Sequence, residues 1–121
     1  MPKITKFRAD EVVPEQYDVE ADSILEGNPQ QASTVTWRSE DGTVVAGIFR
    51  STIGKFSFQQ LGHESTLVRK GHVIVTADDG SSVDCRPGDV MNIAQDAVCV
   101  FDVREDLEDY FVIVNSAGVD L

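Results

Sequence analysis

Hydrophobic and polar residues alternate in short runs from Ser33 to the end of the chain. Successive side chains of a β-strand point to opposite faces, so this alternation predicts strands with one apolar and one polar face. Glycine, proline and aspartate separate the runs at intervals of about 8–12 residues, which is typical of β-sandwiches and barrels. The predicted strands are residues 34–38, 44–50, 55–60, 65–69, 72–76, 82–85, 90–93, 97–103 and 110–114. The pattern predicts an all-β fold in a single domain.

The first thirty residues are different, because they are polar and show no regular period. We therefore divide the chain into an N-terminal polar arm, residues 1–30, and a barrel domain, residues 31–121. A long polar arm has little core of its own. We expect it to pack across a partner or over the mouth of the barrel, with at most one turn of helix at residues 22–25.

The composition is that of one globular domain. The chain has 121 residues, of which 41% are hydrophobic and 26% are charged, and a chain of this size can bury a core without a disulfide or a metal. Its two cysteines form no Cys-x-x-Cys pair, which argues against a zinc ribbon or a redox motif. The first residues contain no apolar stretch of the kind found in secretory signals. We therefore expect a cytoplasmic protein with reduced thiols.

The balance of charge excludes some partners. Ten basic residues against 21 acidic ones give a formal net charge of −11 at pH 7. Such a surface repels phosphate groups, so we expect neither nucleic acid nor an anionic membrane as a partner. The central stretch, residues 45–75, differs, because Glu64 is its single acid against Arg50, Lys55, Arg69 and Lys70. This stretch is either a solvated basic face or a holder of a small anion.

Two spaced motifs resemble a known family. Glu64 is followed after six residues by Gly71, and Pro87-Gly88-Asp89 follows a hairpin sequence at Asp79-Gly80. On these motifs residues 34–115 resemble the cupins, in particular the small single-domain cupins related to ureidoglycine aminohydrolases and to the ethanolamine-utilisation Q proteins. The resemblance implies a cupin-type jelly-roll β-barrel, a homodimer, and a site inside the barrel.

The chain departs from the metal-binding cupins at most of the positions where that family places ligands. The histidine positions of the first motif fall at Phe58 and Gln60, and the histidine position of the second motif falls at Cys99. Only Glu64 remains of the four ligands that the resemblance implies. An amide and a thiol are poor ligands for a hard ion such as manganese, and zinc is the least unsuitable metal. We predict no metal ligands and no cofactor.

Glu64 is the candidate catalytic residue. On the barrel interpretation it points inward, where the loss of solvation raises the pKa of a carboxyl and fits it to act as a general base. The alternative is a surface Glu at the start of a strand. Gln60 is the candidate polar ligand-binding residue, because its amide group suits amide, ureide or carboxylate ligands. Alternatively, Gln60 bridges to Glu64.

Aromatic and sulfur side chains complete the predicted ligand-binding pocket. Phe56, Phe58 and Phe101 form an apolar wall, as is usual in small-molecule sites. Cys99 is either a thiol that lines the pocket or an ordinary buried apolar residue.

The remaining polar residues are predicted to lie outside the pocket. His63 is expected on the outer surface and His72 on the surface or the rim. The four acids between the last two predicted strands are interpreted as a solvated loop; they are Glu105, Asp106, Glu108 and Asp109.

Three functions are compatible with these residues. The first is metal-independent binding of a small polar organic molecule inside the barrel. The second is catalysis. The enzyme would either depend on manganese or zinc and resemble the ureidoglycine aminohydrolases, or be metal-free with Glu64 as its general base. The third is a non-catalytic accessory or assembly role, in which the acidic arm binds a basic partner. The sequence favours the first and leaves open whether the chain is an enzyme.

Overall fold

The computed structural model describes residues 2–121, which form a curled antiparallel sheet. Its strands are β1 (Glu15–Tyr17), β2 (Ile24–Gly27), β3 (Gln31–Arg38), β4 (Val44–Ser51), β5 (Gly54–Gln59), β6 (His63–Ala77), β7 (Ser82–Cys85), β8 (Val90–Ile93) and β9 (Val98–Val114). Within these residues the helical segments are two short 3-10 turns, and no helix is long and apolar enough to cross a membrane. The predicted all-β fold is confirmed.

Two long strands, β6 and β9, hold the sheet together. They pair from His63 opposite Val114 to Ala77 opposite Cys99. On its other edge, β9 pairs with β5 through residues 98–103 and with β4 through residues 107–114. In the same way, β6 pairs with β8 near its start and with β7 near its end. The two halves of the β6–β9 pair therefore carry different neighbours.

The bend between these halves lies at Gly71. The register between β6 and β9 shifts three times from Val68 to Val73. Gly71 has a φ of +87°, a conformation that glycine adopts far more readily than other residues. A Cβ at this position would lie 2.2 Å from the carbonyl oxygen of Asp106. Glycine is therefore required for the two backbones to approach so closely.

The lengths of β6 and β9 correct two predicted interruptions. The sequence predicts separate strands at residues 65–69 and 72–76, and again at residues 97–103 and 110–114, but each pair is one strand. In β6 the turn signal marks a bend within a paired strand. In β9 the acidic stretch stays in the ladder because β6 pairs with it from the other side.

The prediction that the four acids of this stretch form a solvated loop is wrong, because all four lie in β9; Glu105 and Asp106 are exposed as expected, but the other two are buried. Glu108 and Asp109 are 2% and 3% exposed. Glu108 can be buried because Nε of Arg50 lies 2.6 Å from one of its carboxylate oxygens and Arg69 bonds the other. These partners offset the cost of removing its charge from water.

The N-terminal arm contains two short strands that its sequence does not predict. β1 pairs with β3 and β2 pairs with β5, so the rest of the sheet holds both strands in place. The predicted helical turn is a 3-10 turn at Ala21–Ser23, after which Ile24 begins β2. Nearer its start, the arm is fixed to the barrel by an ion pair of 2.9 Å between Asp10 and Arg69.

Two clusters of buried apolar residues fill the interior. The larger cluster includes Phe56, Val73 and Phe101, and the smaller one includes Phe111 and Ile113. The half-buried ring of Phe49 packs against both clusters. The cavity described below is bordered by residues of both.

Candidate functional site

A cavity of about 500 Å³ opens between residues of the two core clusters. Pockets for small molecules typically have volumes of about 300–1,000 Å³, so this space suits a small organic molecule. Five rings form much of its wall: Phe49, Phe56, Phe58, Phe101 and Phe111. Phe56 and Phe101 are directly opposite each other on β5 and β9 and stack with ring centroids 5.3 Å apart. The wall is therefore largely aromatic.

Glu64 brings one carboxyl group to this cavity. It lies on β6 between Ile113 of β9 and Ile93 of β8, and it is partly buried. The hydroxyl of Thr66 donates a hydrogen bond to Oε2 of Glu64. Burial raises the pKa of Glu64, and the bond from Thr66 opposes that rise. A carboxyl group in this position can accept a hydrogen bond or a proton from a bound molecule.

Asp109 brings the second carboxyl group. It lies on β9 between Phe49 of β4 and Val68 of β6, and within the described residues its Oδ1 atom has no hydrogen-bond partner. Burial raises the pKa of Asp109 well above the usual value, and the charges of Glu64 and Glu108 raise it further. A buried carboxyl oxygen without a partner is costly, so Asp109 is an unmet acceptor on the cavity wall.

The arm contributes a third polar group. The hydroxyl of Tyr17 donates a hydrogen bond of 2.7 Å to Oε1 of Gln31, and both residues line the cavity. Burial, followed by the charge of Asp109, raises the pKa of Tyr17 to about 12, so the phenol is a donor at neutral pH. Arm residues 17–20 cover one side of the cavity.

The basic side chains of the central stretch do not line this cavity. Arg50 and Arg69 pair with Glu108, and Nζ of Lys55 lies 3.5 Å from the carboxylate of Glu26. The interpretation of this stretch as the holder of a small anion is therefore not supported for this cavity.

The family follows from a comparison of the sequence with known protein families. A family model described as the EutQ-like cupin domain matches residues 38–109, which is more than half of the chain. The chain belongs to the EutQ-like cupin family. The resemblance drawn from the sequence motifs is thus confirmed. A search of the curated proteins finds no match.

Solved structures share the fold of this EutQ-like cupin. The ethanolamine utilization protein Q of Salmonella typhimurium matches with a TM-score of 0.63 and 21% identity, covering 70% of this chain and 69% of that one. The EutQ protein of Clostridium difficile matches with a TM-score of 0.65 and 15% identity over 83% and 82% of the two chains. A Pseudomonas syringae protein of unknown function matches with a TM-score of 0.75 and 20% identity, covering 86% of this chain and 45% of that one. At these identities the likeness shows the fold alone.

The structure of this EutQ-like cupin brings four of the six predicted site residues together. Phe56, Phe58, Phe101 and Glu64 all line the cavity. Phe58 is 38% exposed, which places its ring at the rim rather than in the depth of the site.

Gln60 and Cys99 do not line this cavity. Gln60 is buried directly after β5, and within the described residues neither polar atom of its side chain has a hydrogen-bond partner. Cys99 lines a second cavity of about 470 Å³. Burial raises the pKa of the Cys99 thiol, which agrees with its interpretation as an ordinary buried residue.

The donor set of the EutQ-like cupin does not fit a metal held by three or four protein ligands. Within residues 2–121, no three His, Cys, Asp or Glu side chains come together. Nδ1 of His63 accepts a hydrogen bond of 3.1 Å from the backbone N–H of Gln95, and Nε2 of His72 lies 2.7 Å from Asp84. Of the four acids that line the cavity, Asp18 and Glu20 are exposed on the arm and Glu64 and Asp109 lie deeper on the sheet.

The sequence interpretation missed Asp109, Gln31 and Tyr17. The sequence does contain a signal that Asp109 points inward. Phe111 and Ile113 follow it at intervals of two, so the three side chains share one face of β9. The sequence contains no such signal for Gln31 and Tyr17, since their positions depend on the pairing of β1 with β3.

Proposed function

We propose that this EutQ-like cupin binds a small polar organic molecule inside the barrel, without a tightly bound metal. The observation that supports this function is the cavity itself, where five phenylalanine rings, the inner carboxyl groups of Glu64 and Asp109 and the exposed acids Asp18 and Glu20 line about 500 Å³. Small-molecule sites combine apolar walls with a few polar groups that orient the ligand. Glu64 and Asp109 are those groups, because each has acceptor capacity directed to the cavity.

A thermal-shift screen with a cavity-filling variant tests this function. Ser33 lines the cavity and is opposite Phe49 on the neighbouring strand, so Ser33→Phe places a ring in the site. Ser116 is exposed in a turn, and Ser116→Phe is the matched control. A ligand at 100 times its Kd stabilises a protein by about 2.7 kcal/mol. We expect compounds that raise the Tm of the wild type and of Ser116→Phe, but not of Ser33→Phe; equal shifts in all three would contradict binding in this cavity.

Elemental analysis separates this function from a metal-dependent one. The native protein is purified without chelator and analysed beside Glu64→Ala and the surface control Glu40→Ala. A protein metal site needs three or four ligands close together, and no three candidate ligands meet within the described residues, so we expect no stoichiometric manganese or zinc in any sample. Stoichiometric metal that is lost only in Glu64→Ala would instead support an enzyme resembling the ureidoglycine aminohydrolases.

Metal-free catalysis is a second candidate, and the environment of Glu64 favours it. Its carboxyl group lines the cavity with a pKa raised by burial, as suits a general base. Glu64→Gln keeps the shape of the side chain and removes the basic oxygen. If a compound from the screen is converted by the wild type, we expect Glu64→Gln to abolish turnover with little change in Tm. Unaltered turnover would exclude this role.

The accessory role has less support from the described residues. Its sequence argument depends on an acidic arm free to bind a basic partner, but Asp10 pairs with Arg69 of the same chain. A pulldown with residues 1–30 deleted tests it, and undiminished capture of a partner would argue against the arm.

We also propose a homodimer in the cytoplasm. Val35 and Trp37 remain more than one-third exposed on β3, beyond the part of that strand that β1 covers, and exposed apolar residues are suited to an interface between copies. The cysteines Cys85 and Cys99 are free, which supports a reducing compartment. Light scattering of the wild type and of Trp37→Glu tests the dimer, and a monomeric wild type would contradict it.

A further inference from the structure

Apart from the phenol of Tyr17, the ionisable side chains that line the cavity, both in its depth and at its arm-covered side, are all acids. Four acids contribute to its wall, namely Asp18, Glu20, Glu64 and Asp109, and among the described residues no Lys, Arg or His does. A low-dielectric cleft lined by one sign of charge raises the local concentration of ligands of the opposite sign. The cavity therefore disfavours anions and favours positively charged ligands.

The two innermost carboxyl groups are placed to act on one ligand. Glu64 is opposite Ile113, and Asp109 lies four residues before Ile113 on the same strand. Thr66 and Phe111 pair at the position between them. At about 3.4 Å per residue, the two acids are separated by roughly 14 Å along the strand, and both line the same cavity. Both acids can therefore act on the charge of a ligand in this cavity.

Asp109 is the unfilled acceptor of this arrangement. Its side chain is almost completely buried, and within the described residues its Oδ1 atom accepts no hydrogen bond. A buried carboxylate is stabilised by a donor that carries positive charge, because charge-assisted hydrogen bonds are the stronger ones. Residues 2–121 supply no such donor here, since Arg50 and Arg69 both bond Glu108.

The rest of the wall suits a cation that is organic rather than a metal. Aromatic faces attract ammonium and guanidinium groups through the ring quadrupole, and five phenylalanines line the cavity. Their apolar surface also takes up the carbon portion of a ligand, which a hydrated metal ion lacks.

We propose that the ligand of this cavity is a small organic cation, such as a primary ammonium compound. Its N–H groups bond the unfilled carboxyl group of Asp109, Glu64 attracts its charge, and its carbon portion contacts the phenylalanine rings. This inference rests on the proposed ligand-binding function and names the chemical class of the ligand.

A titration of the full-length, ¹⁵N-labelled protein with four probes of similar size tests the inference. The probes are n-butylammonium, tetramethylammonium, 1-butanol and butyrate, and the readout is the shift of amide resonances on the strands around the cavity. We expect n-butylammonium to bind at least about tenfold more tightly than 1-butanol, and more tightly than tetramethylammonium, which has no N–H donor. Butyrate should cause no shifts at the cavity.

Three variants, each with one acid replaced by its amide, show which residues bind the cation. Asp109→Asn and Glu64→Gln should each weaken n-butylammonium binding at least about fivefold. Glu40→Gln removes an acid at an exposed position and should leave the affinity for n-butylammonium unchanged. Glu64 is only partly buried, so Glu64→Gln keeps the test decisive if Asp109→Asn does not fold.

The results that overturn the inference differ from those that overturn the binding function. If 1-butanol or butyrate binds as tightly as n-butylammonium, or if neither cavity variant weakens the cation, the cavity binds ligands but is not selective for cations. If no probe shifts the cavity resonances, the inference also fails. The thermal-shift screen with Ser33→Phe decides the binding function independently.

Discussion

The hydroxyl of Tyr17 donates a 2.7 Å hydrogen bond to the side-chain oxygen of Gln31, and this bond ties the N-terminal arm to the cavity wall. The two residues are also directly paired in the β1–β3 ladder. The ladder between these strands has only three residue pairs, so the side-chain bond is an important part of their attachment. The arm that covers the cavity is thus held by a contact that one substitution removes.

Replacing Tyr17 with Phe should weaken this attachment. The change removes one hydrogen bond and leaves the buried oxygen of Gln31 without a donor, a loss of about 1 kcal/mol, or about 4 °C in Tm for a domain of this size. Thermal unfolding followed by circular dichroism measures it. The control is Tyr110→Phe, since the hydroxyl of Tyr110 has no side-chain hydrogen bond among the described residues. Equal losses in both variants would show that the bond to Gln31 is not the cause.

Asp109→Asn should flatten the dependence of stability on pH. Burial and the charges of Glu64 and Glu108 raise the pKa of Asp109 in the folded protein, so folding favours its protonated form. Its contribution to stability is therefore fully present below the ordinary carboxyl pKa of 3.8 and is lost as the pH rises through the raised value. Asparagine resembles the protonated acid and does not titrate.

Urea unfolding at intervals from pH 4 to pH 8 measures this difference. We expect Asp109→Asn to gain stability relative to the wild type as the pH rises, and the exposed control Glu40→Gln to follow the wild type. Parallel curves for Asp109→Asn and the wild type would mean that the carboxyl is not held in a raised-pKa environment.

Gly71→Ala should be much more destabilising than Gly80→Ala. Both glycines have positive φ, +87° and +89°, so both variants incur a similar backbone strain of about 1 kcal/mol or more. At Gly71 the new Cβ would also lie 2.2 Å from a carbonyl oxygen, whereas at Gly80 nothing lies within 4 Å. We expect Gly71→Ala to lose at least about 2 kcal/mol more in urea unfolding. Similar losses would contradict the close crossing of β6 and β9.

The two thiols should be unreactive in the folded protein. Cys85 and Cys99 are 4% and 1% exposed, and burial raises the pKa of both thiols, so little thiolate is available to react. A thiol reagent such as Ellman's should modify neither cysteine under native conditions and both in urea. Rapid native reaction that disappears in Cys99→Ser would instead identify Cys99 as an accessible thiol of the second cavity.

The sequence predicts the strands from β3 onward because their apolar periodicity is local information. It predicts β7 at residues 82–85 and β8 at residues 90–93 with the observed bounds. It fails where pairing decides the structure. Gly71 carries a turn signal but lies inside β6, and the three residues of β1 are a strand only because β3 is beside them.

The same distinction applies to the candidate site. Phe56, Phe101 and Glu64 are found on the cavity wall because strand periodicity and the cupin motif both place them inward. Asp109 is misinterpreted because a run of acids resembles a solvated loop, whereas the pairing of β9 with β4 and β6 buries this residue. Gln60 is assigned to the cavity on the assumption of a regular strand, but β5 ends at Gln59.

The division of the β6–β9 pair between two sets of neighbours has a consequence for how the barrel unfolds. Neither half of the sheet is complete without β6 and β9, because these two strands run through both halves. Separating the pair in one half therefore removes support from the other, and the chain should unfold as a single cooperative unit. A ligand bound near Glu64 should accordingly slow amide hydrogen exchange in β7, at the opposite end of β6.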